Sequence, residues 1–134
     1  MRAAAASVVI ALVFLASGGM SAEPGDSAEA PSIEASELSA RREKGTAPVV
    51  IDVRTTEEYA AGHIPGAVNI PFDEVAARIS EVEAPHGVAL YCMVGPRARN
   101  GETALLANGH SSVFHLEGGL AAWKEAGYPV EEGE

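Results

Sequence analysis

The chain has 134 residues, 47% of them hydrophobic and 21% charged, which suits one domain with a packed core and excludes wholesale disorder. Lys and Arg number 9 against 19 Asp and Glu, a formal charge of −10, and that balance argues against binding a nucleic-acid backbone or an anionic lipid surface through clustered cations. Cys92 is the single cysteine, and the four histidines (His63, His86, His110, His115) lack metal-ligand spacing, so no disulfide, no metal and no cofactor are expected.

Arg2 gives the start a positive charge, and the chain from Ala3 to Ala16 is almost wholly apolar. Ser17-Gly18-Gly19 and Ser21-Ala22 then lead to Glu23-Pro24. A charged start, a short apolar run and a small-residue exit predict a secretory signal peptide over residues 1–22. The protein is therefore expected to be exported, periplasmic or secreted, with no stable membrane contact after cleavage. A retained anchor is the alternative, although the run is short against the roughly 20 residues of a bilayer span. A cut after Gly18 competes with one after Ala22. Residues 23–31, small, polar and broken by Pro24, Gly25 and Pro31, predict a flexible leader. The domain is expected over 32–131, with an acidic tail at 132–134.

Val49-Val50-Ile51-Asp52-Val53 has the β-branched, continuous apolar character of a strand buried on both faces. Thr55-x-x-Glu58 is a capping box, and Gly62 ends the short helix it opens. Residues 67–70 predict a short strand between Pro65 and Pro71. Phe72, Val75, Ile79 and Val82 recur at helical spacing. Residues 88–92 predict the next buried strand, 97–108 a helix ended by Gly109, 113–116 a strand, and 119–126 a closing helix carrying Leu120 and Trp123. Strands alternating with helices imply parallel strands joined by right-handed crossovers. The predicted fold is α/β, a three-layer α/β/α sandwich around a small central parallel sheet.

Ligands of such sheets bind beyond the carboxyl ends of the strands. Cys92 ends a strand there, and Met93-Val94-Gly95-Pro96 separates it from a helix starting near Arg97. The turn curls several backbone N–H groups inward, and the helix N-terminus and Arg97 add positive charge. Such surroundings bring thiol pKa values to roughly 3.5–7.5, so Cys92 is expected to be a thiolate nucleophile. The competing interpretations are an inert core cysteine for Cys92 and, for Arg97, a helix-start residue paired with a nearby carboxylate. Gly95 permits close approach of the backbone to the sulfur, and Pro96 stiffens the loop.

Four groups of residues taken together resemble the rhodanese-like domain family. They are Asp52-Val53-Arg54 with Glu58-Tyr59, Gly62-His63-Ile64-Pro65-Gly66-Ala67 and Asn69-Ile70-Pro71; Cys92-Met93-Val94-Gly95-Pro96-Arg97; Leu116-Glu117-Gly118-Gly119-Leu120-Ala121-Ala122-Trp123; and Gly127-Tyr128-Pro129-Val130. The likeness spans roughly residues 32–131. It implies a sulfurtransferase in which Cys92 takes a sulfane sulfur from a small donor such as thiosulfate, holds it as a persulfide and yields it to cyanide or a thiol, a protein thiol included. Met93, Val94, Gly95, Pro96 and Arg97 would form the persulfide cradle. Asp52, Arg54, Glu58 and His63 are expected to support the site structurally, with Arg54 pairing with Glu58. A monomer is expected.

Related phosphatases use Cys-x5-Arg around a tetrahedral phosphate; here Arg97 lies five positions after Cys92 and the ring is one residue short. The sequence also departs from the family pattern. Ala98 stands where many active members carry Ser or Thr, and Met93 and Val94 where several thiosulfate users carry a cation. A non-catalytic binding or sulfur-carrier module therefore stands as the alternative to the enzyme.

Overall fold

The computed structural model describes residues 29–134, so the expected signal peptide and most of the expected leader lie outside the described residues. Strands β1 (Ser32–Ile33), β2 (Val49–Asp52), β3 (Val68–Asn69), β4 (Val88–Tyr91) and β5 (Val113–Leu116) form one sheet in the order β1-β5-β4-β2-β3. Every pairing is parallel. Helices α1 (Ala35–Lys44), α2 (Thr56–Ala61), α3 (Val75–Arg78), α4 (Pro96–Ala107) and α5 (Gly119–Glu125) pack around it. No helix among the described residues is long and apolar enough to cross a membrane.

Side chains alternate across a strand, so β4 serves both layers at once. Val88, Leu90 and Cys92 point into one core with Ile51, Val53, Ile70, Val75 and Leu105, under α3 and α4. Ala89 and Tyr91 point into the other, with Val50, Leu38, Ile64, Leu116, Leu120 and Trp123, under α1 and α5. Burial on both faces explains why β2 and β4 read as unbroken apolar runs. The α/β/α sandwich is the architecture expected.

The chain moves outward from β2 to β3, then returns across β2 to reach β4. Strand order thus reverses between β2 and β4, and the crevice such a reversal leaves opens at their carboxyl ends. Asp52 and Tyr91, the last residues of these strands, are register partners. Cys92 follows immediately.

Three elements depart from expectation. β1 and α1 carry no periodic signal strong enough to have been assigned. The helix expected over 72–82 is instead a turn closed by Glu74 N–H on the Pro71 carbonyl (2.8 Å), then α3, then one 3-10 turn, Ile79–Glu81. The folded part also begins ahead of Ser32: Ala30 is buried, and the Pro31 carbonyl accepts the His115 N–H at 2.8 Å.

Candidate active site

Cys92 is 2% exposed. Its Sγ accepts the Gly95 N–H at 3.1 Å, the one hydrogen bond the sulfur accepts among the described residues. The expected ring of several amides thus closes on a single donor. Gly95 stands at φ 156°, ψ −43°, a backbone conformation that residues with side chains seldom adopt, and this turns its N–H back toward the sulfur. Pro96 occupies the first position of α4, where a missing N–H costs nothing. Met93 and Val94 are exposed at 37% and 61%, forming an apolar lip on the loop. Ala98 is fully buried in the same core cluster as Cys92.

The outer side of the loop is fastened by α5. Leu120 N–H donates to the Cys92 carbonyl (2.9 Å), and Ala121 N–H to the Met93 carbonyl (3.0 Å). These are first-turn amides that a helix leaves unpartnered, so the loop carbonyls satisfy them. The contact requires Gly119: a Cβ there would lie 2.5 Å from the Cys92 oxygen and 2.6 Å from that of Met93, and the residue has φ 61°. Sequence reasoning placed Gly119 in a closing motif without this role. Its signal was the glycine pair at the mouth of a helix.

Behind the loop lies a buried polar network. Arg54 Nη2 donates to Asp52 Oδ2 at 2.7 Å and to the Gly62 carbonyl at 2.6 Å. Tyr91 Oη donates to the same Asp52 oxygen at 2.7 Å and accepts the Ile64 N–H at 3.0 Å. Burial, with Asp52 alongside, pushes the Tyr91 hydroxyl far above its usual range, so it is a permanent donor. The expected Arg54–Glu58 pair does not form. Asp52 is wholly buried and needs a cation more than the partly exposed Glu58 does, and Arg54 meets it two residues on, on the same face.

Glu58 instead holds Arg97. Nη1 and Nη2 donate to its two carboxylate oxygens at 2.7 and 3.1 Å, a bidentate pair joining α2 to the start of α4. Glu58 also accepts the Thr55 N–H (3.0 Å) as its half of the capping box. The Arg97 hydrogen bonds, then Thr55, lower the Glu58 pKa to about 2. The Arg97 pKa is raised, first by Glu58, with smaller contributions from Cys92 and Asp52. Pairing with a carboxylate, the competing interpretation for Arg97, is thus what the geometry presents.

His63 makes its contacts with α2 and with the end of the chain. Its ring stacks on Tyr59 (3.6 Å between centroids), its Nδ1 meets the Tyr59 carbonyl at 2.7 Å, and its backbone bridges to Glu131. That bridge, with Gly133 N–H on the Ala60 carbonyl (2.8 Å), ties the acidic end of the chain to α2. A cleft of about 260 Å³ beside the loop is lined by Arg54, Glu58, Met93, Leu120, Lys124 and Val130. A larger hollow, about 470 Å³, includes Val88 and Val113, at the amino ends of β4 and β5 and thus the far end of the sheet. No cluster of potential metal ligands occurs among the described residues. The arrangement suits a sulfur nucleophile in a small pocket, with one amide and one neutralised cation at its edge.

A profile of the rhodanese-like domain matches residues 34–126. The chain is 40% identical over 106 residues to an HTH-type transcriptional regulator, Rv0324, of Mycobacterium tuberculosis; the match covers 75% of this chain and 45% of the regulator, so the chain spans less than half of that relative. It is 33% identical over 98 residues to a sulfurtransferase of Allochromatium vinosum, covering 73% of this chain and 92% of that one. Among solved structures, that of a thiosulfate sulfurtransferase from Pseudomonas aeruginosa is similar with a TM-score of 0.71 at 30% identity, over 78% of this chain and 21% of that one.

Proposed function

The chain belongs to the rhodanese-like domain family, and from that premise we propose that it is a sulfurtransferase carrying a sulfane sulfur on Cys92. The observation that supports this most is the position of Cys92, at the strand-order reversal with Sγ on the Gly95 amide and Arg97 at the loop's end. The Cys92 thiolate attacks the outer sulfur of thiosulfate or of a persulfide donor. A new S–S bond forms to Sγ, and the donor's own S–S bond breaks. With thiosulfate, sulfite leaves with the electron pair. Cyanide or a thiolate then attacks the outer sulfur of the Cys92 persulfide, and the electron pair of the broken bond returns to Sγ. Met93, Val94, Gly95 and Pro96 shape the cradle. The Gly95 amide stabilises the anionic sulfur at each stage, as oriented backbone donors do.

Steady-state formation of thiocyanate from thiosulfate and cyanide tests the proposal. Turnover that vanishes in Cys92→Ser is expected, and equal turnover in that variant overturns it. One observation favours the carrier alternative: Glu58 neutralises Arg97, which weakens the pull on an anionic donor. A carrier takes up a single sulfur but turns over poorly, yielding it to cyanide without sustained thiocyanate formation.

Export belongs to the same proposal. Protein purified from its native host is expected to begin between Gly19 and Glu23 on N-terminal sequencing. A chain starting at Met1 and partitioning with membranes supports a retained anchor instead.

A further inference from the structure

Glu102 and His115 take no part in the chemistry above, yet they lie directly beneath the cysteine loop. Glu102 is on the inner face of α4 and His115 on β5; they are 1% and 4% exposed. Glu102 Oε2 and His115 Nδ1 are 2.6 Å apart, a separation that requires a proton between them. The far edge of the imidazole, Cε1 and Nε2, comes within 3.8 Å of where a Cβ on Gly95 would stand. Gly95 is the residue whose N–H reaches Cys92 Sγ. The imidazole therefore stands between Glu102 and the open side of Gly95, the residue that holds the sulfur.

The charges facing this pair come from three directions. Arg99, one turn earlier on α4, donates to Glu102 Oε1 at 3.3 Å and to the Ala30 carbonyl at 3.1 Å. Glu29 lies ahead of β1 and Glu117 just beyond β5, and both bear on His115. From β4, the register partner of His115 is the uncharged Leu90.

We propose that Glu102 and His115 are a positioning pair for the Cys92 loop, sharing one proton beneath Gly95 so that no net charge faces the anionic sulfur from below; the identity of that anion as a persulfide rests on the sulfurtransferase function. Burial raises the Glu102 pKa to about 8 against the opposing pull of Arg99, and burial lowers that of His115. Both shifts keep the pair neutral at neutral pH. Above about pH 8 the pair gives up one proton, the one between Oε2 and Nδ1 staying in place, and becomes a buried negative charge under the loop.

A charge-sensing alkylation of the full chain tests this without requiring turnover. Iodoacetate is anionic and iodoacetamide neutral, so the ratio of their rates at Cys92 cancels the thiol's own titration and reports the field at the sulfur. In the wild type the ratio is expected to fall about threefold through pH 8, the size expected of one charge several ångströms away in a partly polar medium. In Glu102→Gln, which keeps the shape and a donor toward Nδ1, it should stay flat. Arg99→Gln, a change at a more exposed position, removes the cation that favours the carboxylate and should move the step to higher pH. A ratio that behaves identically in the three proteins overturns the proposal, as does an unmoved step in Arg99→Gln should Glu102→Gln fail to fold. Sulfur loading by thiosulfate is measured on the same proteins. A missing load with the step intact removes the sulfurtransferase function and leaves the pair; a flat wild-type ratio with loading intact removes the pair.

Discussion

Two demands meet in the carboxylate of Glu58: it closes the capping box of α2 and neutralises Arg97 at the end of the cysteine loop. The consequences for chemistry and stability separate. Arg97→Ala removes the loop's cation and should slow thiosulfate loading tenfold or more, taking charge-assisted hydrogen bonds at about 1–3 kcal/mol. Glu58→Gln leaves Arg97 unneutralised and should speed loading, so a slower rate in both variants contradicts this account of the pair. For stability the sign follows from a folded pKa lowered from 4.5 to about 2. The contribution is present above pH 4.5 and is lost as pH falls through about 2. Both side chains are about a third exposed, and screening limits the effect to about 1 kcal/mol or less. Urea unfolding should show the gap between wild type and Glu58→Gln closing across that window. Cys92, Gly95 and Arg97 were legible as a group because loop chemistry is local in sequence. The partner of Arg97 was not, since Glu58 lies 39 positions away and Arg54, much nearer, competes for it on paper.

The cysteine loop depends as much on α5 as on its own residues, since the first amides of α5 carry the carbonyls of Cys92 and Met93. Gly119→Ala sets a Cβ against both oxygens at a positive φ, and neither backbone atom can retreat cheaply. A loss of about 2 kcal/mol or more in unfolding free energy is expected, together with slower Cys92 alkylation by iodoacetamide at fixed pH. Unchanged stability and reactivity would show that the loop does not need this close approach. The elements themselves were unevenly legible. β2, β4, α2 and β5 announced themselves through buried runs and a capping box. α1 buries only Ala35 and Leu38, so its apolar stripe is faint; the better signals were Glu37 four before Arg41, basic residues in the last turn, and Gly45 as a left-handed cap. β1 is two residues long and exists through its pairing with β5, which no local pattern encodes.

At the scale of the molecule, the parallel sheet and the end at which the site opens followed from alternating elements, whereas the strand order that brings Asp52 beside Tyr91 is a tertiary fact. Buried titratable groups escaped the sequence for the same reason: Glu102 occupies a helical position indistinguishable by pattern from a solvated one. Its effect on the whole fold has a definite sign. A carboxyl whose folded pKa is raised to about 8 stabilises the protein below its unfolded value and loses that contribution as pH rises toward 8. His115, lowered, works in the opposite sense only up to its unfolded value near 6.5. Between pH 6.5 and 8 the wild type should therefore lose stability relative to Glu102→Gln in thermal unfolding, and parallel curves would contradict the burial of a protonated acid. The central claim, that this fold exists to carry sulfur on Cys92, is tested most directly by intact mass after thiosulfate treatment. The account predicts a gain of one sulfur atom, removed by cyanide as thiocyanate and absent from Cys92→Ser. No gain in the wild type, or the same gain in Cys92→Ser, would contradict it.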